Sequence, residues 1–202
     1  MNNDDLEMNS LNVTTDNTFD FIGGDYGQWK VLKMDTLSGQ PLQQVSHLEI
    51  NQSSGVKSSN CAWTLKGFVS NMRYTEKREQ ENLTSAQAGL GRQEATGAAL
   101  IPIRKVEAWW QLPQDERRKI FESESRHIQI GIKYLPAIAR RLYHCRDIGE
   151  PFDFLTWFEY APSDSELFDE LLHTLRMTEE WKYVDREIEI RLTKIQNFPS
   201  SV

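Results

Sequence analysis

Residues 137–160, AIARRLYHCRDIGEPFDFLTWFEY, decide the fold. The run from Ala137 to Cys145 reads as a strand. Arg146 to Pro151 then brings in Asp147 and Gly149, residue types that make turns. Phe152 to Tyr160 is a second strand, rich enough in aromatic residues to predict burial on both faces. The two strands make a hairpin. Downstream, Ser163, Asp164, Ser165 and Glu166 spell a capping box, which predicts the start of a helix. Leu167, Phe168, Leu171, Leu172 and Leu175 form one apolar stripe along that helix. Tyr183 to Thr193 then alternates: Val184, Ile188, Ile190 and Leu192 on one side, Asp185, Glu187, Glu189 and Arg191 on the other. Arg186 is the one exception on the apolar side. The pattern predicts an antiparallel strand with one face buried and one in water.

Upstream of the hairpin, Gln114 to Ser123 follows Pro113 and is helical, with Ile120 and Phe121 facing inward. Ala98 to Val106 is a short apolar strand, and Cys61 to Tyr74 alternates as another. Further strands are predicted at Gln28 to Met34 and Val45 to Ile50, with turns at Gly23-Gly24-Asp25 and at Gly39. Residues 75–97 are polar and charged and read either as a solvated loop or frayed helix or, given their length, as a lid or binding loop. Residues 1–19 read as a disordered tail, leaving 20–202 as one domain. Strand, strand, helix, strand closes a ferredoxin-like half. The first half is open to the same reading in degraded form, although no sequence repeat demonstrates it. The fold class is α+β, with helices on one side of an antiparallel sheet.

Composition narrows the function. Six Trp and nine Phe in 202 residues supply a large buried area, so the chain is globular. A net charge of −7 argues against a general nucleic-acid or anionic-membrane binder, and means that an anionic substrate needs a local positive site. Cys61 and Cys145 lie in no CxxC pair, so zinc is unsupported; two thiols fit a reducing compartment, with one disulfide left open. The start lacks a basic and apolar signal segment, and no apolar run reaches bilayer length, so the expected location is the cytoplasm.

A few polar residues stand out. Ile138, Arg140, Leu142 and His144 share one strand face, so Arg140 points with apolar neighbours. Either it pairs with a carboxylate, or it is a fixed cation in an apolar pocket suited to an anion. Glu179-Glu180 sits where a helix dipole favours cations, so Glu180 is either an exposed turn residue or the partner of something specific. Lys105, Trp109 and Trp110 are either a snorkelling lysine beside packed aromatics or an edge that grips a carboxylated ligand. His47, His144 and His173 read as structural. Nucleotide-type glycine loops and GxSxG are absent from the sequence.

YLPAIARRLYHCRDIGEPFDFLTWFEYAP followed by LRMTEEWKYVDREIEIRL, with SNMRY, IPIRKVEAWWQLPQDERR and SRHIQIG, resembles the chlorite dismutases, and more closely their short, dimeric subfamily. The likeness runs from about Trp63 to Leu192. It implies two ferredoxin-like halves, the first shortened, forming a β-barrel-like sheet with helices outside. It implies a homodimer with one haem b per subunit, acting on the small anion chlorite and releasing chloride and dioxygen, with the O–O bond formed at a ferryl haem. His127 would be the iron ligand, and Glu180 would accept a hydrogen bond from its other ring nitrogen. Arg140 would be the catalytic arginine on the far side of the haem, and Gln87 would pair with it in one orientation. Lys105, Trp109 and Tyr74 would lie near the haem propionates. Two other readings stay open: a coproheme decarboxylase-like enzyme of the same fold family, which lacks the arginine, and a haem-free ferredoxin-like dimer that binds a partner or small molecule.

Overall fold

The computed structural model describes residues 17–53, 61–69, 89–196 and 198. Eight strands are present among them: β1 (Thr18–Gly24), β2 (Trp29–Ser38), β3 (His47–Gln52), β4 (Cys61–Phe68), β5 (Gly97–Lys105), β6 (Ala139–His144), β7 (Phe154–Tyr160) and β8 (Val184–Lys194). They close into a barrel in the order β1-β3-β2-β8-β5-β7-β6-β4, every pairing antiparallel. Four α-helices accompany them: α1 (Glu107–Gln111), α2 (Gln114–Arg118), α3 (His127–Tyr134) and α4 (Ser165–Arg176).

The barrel contains the same strand order twice. β5 to β8 lie as β8-β5-β7-β6, with α1 to α3 between β5 and β6 and α4 between β7 and β8. That is a ferredoxin-like unit. β1 to β4 lie as β4-β1-β3-β2, but only residues 25–28 separate β1 from β2, where the other half places helices. The first half is therefore a shortened copy in topology, as expected, although its sequence shows no repeat.

The β-strand period of two assigns the core. One face fills the barrel with Phe21, Trp29, Leu48, Leu100, Trp157 and Ile188. The other carries Ile101, Phe158 and Tyr160 out against Phe168, Leu171 and Leu172 of α4. β7 is accordingly buried on both faces: Leu155 and Trp157 point in, and Phe158 and Tyr160 meet Phe168 at 5.0 and 4.6 Å.

Three expectations change. β1 starts at Thr18, inside the stretch read as tail, and runs through Gly23 and Gly24 rather than turning there. Gly23 lies under the Trp63 indole: a Cβ on it would be 2.3 Å from that ring, so the glycine permits cross-strand packing. The capping box does not form. Pro162–Asp164 makes a 3₁₀ turn ahead of α4, which moves the N-cap to Asp164, and no side chain caps it. The charged face of β8 is not in water either, since Glu187 and Glu189 are buried. Arg176 at the end of α4 reaches both carboxylates at 2.6 Å, and Trp181 Nε1 donates to Glu187 at 2.9 Å. Cys61 and Cys145 are both free thiols. Among the described residues no helix is long and apolar enough to cross a membrane.

Candidate functional site

A pocket lies between the outer sheet face and the helices. Ile103 of β5, Thr156 and Phe158 of β7 and Arg140 of β6 contribute from the sheet; His127 and Tyr134 of α3 and Leu172 of α4 contribute from the helices. Ile138, Arg140, Leu142 and His144 all line it, as the period of two along β6 requires. His144 is thus a pocket residue, buried beside Phe154 at 5.5 Å.

The backbone before His127 is specialised. After α2 the helix widens into a π-wound turn, Lys119–Glu124, in which Ser125 N donates to Ile120 O at 3.1 Å. Arg126 then takes φ 53°, the left-handed region that a non-glycine residue adopts at a cost. This reversal starts α3 on His127. A helix start leaves its first N–H groups without intrahelical acceptors. Here the buried Glu122 carboxylate accepts from Ile128 N at 2.9 Å.

The 3₁₀ turn Glu180–Tyr183 closes against this segment. Glu180 N donates to Ser125 Oγ at 2.9 Å. Its Oε2 meets His127 Nδ1 at 2.7 Å, and its Oε1 accepts from Lys105 Nζ at 2.7 Å. Both Lys105 and Glu180 are buried. Burial alone would raise the Glu180 carboxyl, but the adjacent His127 and Lys105 outweigh it and hold the group at about 2. Glu180 is therefore a carboxylate across the physiological range and can only accept hydrogen bonds. Nδ1 of His127 must carry the hydrogen, and Nε2 is the nitrogen left for another partner.

Lys105 sits under the Trp109 ring, 4.3 Å from its centroid, with its ammonium on Glu180 and not at an exposed edge. Burial pulls that ammonium below the ordinary lysine range, with Glu180 opposing. Trp109 is buried, packs on Tyr183 at 5.3 Å and lines the pocket. Arg140 is half-buried on the sheet wall, and desolvation lowers its pKa. A guanidinium stays protonated at neutral pH even so, so the pocket wall carries a positive charge among apolar groups.

The structure thus brings His127, Glu180, Lys105, Trp109 and Arg140 to one pocket. Tyr74 and Gln87 lie outside the described residues. Two contributors, Glu122 and Ser125, were not singled out from sequence, and Phe121 was read only as facing inward. The signal available was the run ESESRH at 122–127, with two acidic and two hydroxyl residues crowded ahead of one histidine. The π-wound turn and the reversal at Arg126 leave no such mark.

Comparison with known proteins follows the same lines. The model of the family described as chlorite dismutase matches residues 35–195. A chlorite dismutase of Ideonella dechloratans is 28% identical over 127 residues, covering 62% of this chain; the chain spans only 42% of that relative's length. The structure of a dimeric chlorite dismutase from Nitrobacter winogradskyi is 56% identical with a TM-score of 0.83, covering 88% of this chain and 99% of that one. The chlorite dismutase of Candidatus Nitrospira defluvii in complex with imidazole, at 18% identity and a TM-score of 0.60 over 87% of this chain and 90% of that one, shares the fold.

Proposed function

The chain belongs to the chlorite dismutase family, and from that membership we propose that it is a haem b enzyme that decomposes chlorite to chloride and dioxygen, working as a homodimer in the cytoplasm. The observation that carries the reading is the His127–Glu180–Lys105 chain, buried behind a pocket whose sheet wall holds Arg140.

The residues fit a haem. An imidazole with Nδ1 committed to a carboxylate is a strengthened Nε2 donor, the form in which histidine ligates haem iron. Gly131, four residues after His127 on α3, also lines the pocket, and a Cβ on it would meet nothing within 4 Å. Glycine weakens a helix interior, so an unfilled glycine facing the pocket fits close approach of a flat ligand. His127 would hold the iron, and Trp109 and Tyr74 would lie near the propionates. Lys105 would act through Glu180.

Haem, when bound, supplies the redox chemistry that moves oxygen from chlorite. The chain supplies position and field. Glu180 keeps the hydrogen on Nδ1 of His127, so Nε2 stays a lone-pair donor. The apolar walls exclude water and strengthen any charge interaction inside. Arg140 attracts chlorite against the −7 background of the chain and retains the anion left after oxygen transfer. Gln87 would orient Arg140.

Adding chlorite to the haem-loaded protein and recording dissolved oxygen tests this. We expect about one dioxygen per chlorite consumed, the balance of ClO₂⁻ → Cl⁻ + O₂. A haem-loaded protein that consumes no chlorite refutes the activity, and a protein that takes up no haem refutes the cofactor.

A further inference from the structure

The hydrogen bond to Glu180 restrains His127 at one point only. The imidazole turns about its Cβ–Cγ bond, and one off-axis contact at Nδ1 leaves it a range of ring rotation that carries Nε2 sideways. Something must block the ring face if Nε2 is to point one way. Phe121 is placed to do it. Its ring lies 4.5 Å from the His127 ring, with 23° between the planes, a stacked arrangement. Phe121 stands in the π-wound turn Lys119–Glu124, which adds a residue to the helical repeat and so turns the following side chains relative to an α-helix. The same turn places Glu122 to hold the backbone at Ile128 N. Segment 119–128 thereby fixes the histidine twice, at its backbone and at its ring face.

We infer that Phe121 is a positioning residue that sets the plane of the His127 imidazole, with Glu180 setting its in-plane direction. Its consequence for iron ligation rests on the haem reading above; the ring contact itself does not. Phe121 also lines the pocket, and the role inferred for it runs through its contact with the His127 ring.

The test uses three proteins: wild type, Phe121→Leu, which keeps an apolar side chain of similar bulk without a flat face, and Phe121→Tyr, which restores the ring. In the haem-free protein at one fixed pH, the wild type should show nuclear Overhauser contacts between the two rings and one sharp set of His127 signals. In Phe121→Leu those signals should broaden or double, and in Phe121→Tyr they should sharpen again. In the haem-loaded ferrous protein, the iron–imidazole stretching band in the Raman spectrum should broaden in Phe121→Leu, and haem should leave about three- to tenfold faster, the scale of one lost aromatic pair. Absence of inter-ring contacts in the wild type overturns the inference whatever the variants do. So does Phe121→Leu with sharp His127 signals and the wild-type band width. Inter-ring contacts in a protein that takes up no haem would refute the proposed function and leave the positioning role of Phe121 standing.

Discussion

Single residues carry the sharpest consequences. Glu180 sits at about 2 because His127 and Lys105 overcome the cost of burying it. A carboxylate held below its unfolded value, near 4.3, stabilises the fold at neutral pH. That stability is complete above about pH 5 and is lost as pH falls toward the folded value, with up to about 3 kcal/mol involved. Urea titrations at a series of pH values should show it, and Glu180→Gln should flatten the acid limb. Glu180→Gln also leaves the Lys105 ammonium buried beside a neutral amide, so it should cost about 3–5 kcal/mol at pH 7; Lys105→Met in the same chain should recover much of that. Equal losses in the single and double variants would refute the coupling. Arg140→Ala should keep haem yet turn over chlorite about tenfold more slowly, the scale of one charge-assisted hydrogen bond, and bleach sooner. Wild-type oxygen yield per haem in that variant would remove the role given to Arg140.

At the scale of elements, the two sides of the outer sheet layer were unequally legible. β6, β7 and the stripe of α4 follow from periodicity because each buries one regular set of apolar side chains, Phe168 and Leu171 among them. The α4 cap, the burial of Glu187 and Glu189, and the strand character of Gly23 and Gly24 did not follow. The α4 cap is displaced locally, by the adjacent Pro162 turn, whereas the other two depend on partners in other elements, Arg176 and the Trp63 indole. Lys105 belongs to the same class, since 75 residues separate it from Glu180. His127 and Arg140 were assigned roles through family likeness, because one histidine and one strand-face arginine have bland alternatives. Element packing also yields predictions. Phe168→Ala should cost about 3–5 kcal/mol in chemical denaturation, because the ring is fully buried against Phe158 and Tyr160. Gly131→Ala should stabilise the haem-free protein by up to about 1 kcal/mol while weakening haem uptake. A parallel gain in both would show that nothing approaches α3 closely there.

For the molecule as a whole, the doubled 4-1-3-2 strand order explains where the pocket sits. Only the second half retains helices on the outer face among the described residues, and the pocket opens between those helices and that half's own strands. The shortened half completes the barrel and buries Phe21 and Trp29 inside it. The barrel closes where Gly67 of β4 meets β6: a Cβ there would be 2.7 Å from Tyr143 Cβ. Everything functional then hangs on which nitrogen of which histidine faces that pocket. The decisive measurement is the Soret absorbance of His127→Gly after haem addition, recorded with and without free imidazole. The band of the loaded wild type should be lost in the variant and return when imidazole fills the vacated position. A wild-type Soret band in His127→Gly without imidazole would contradict ligation through His127.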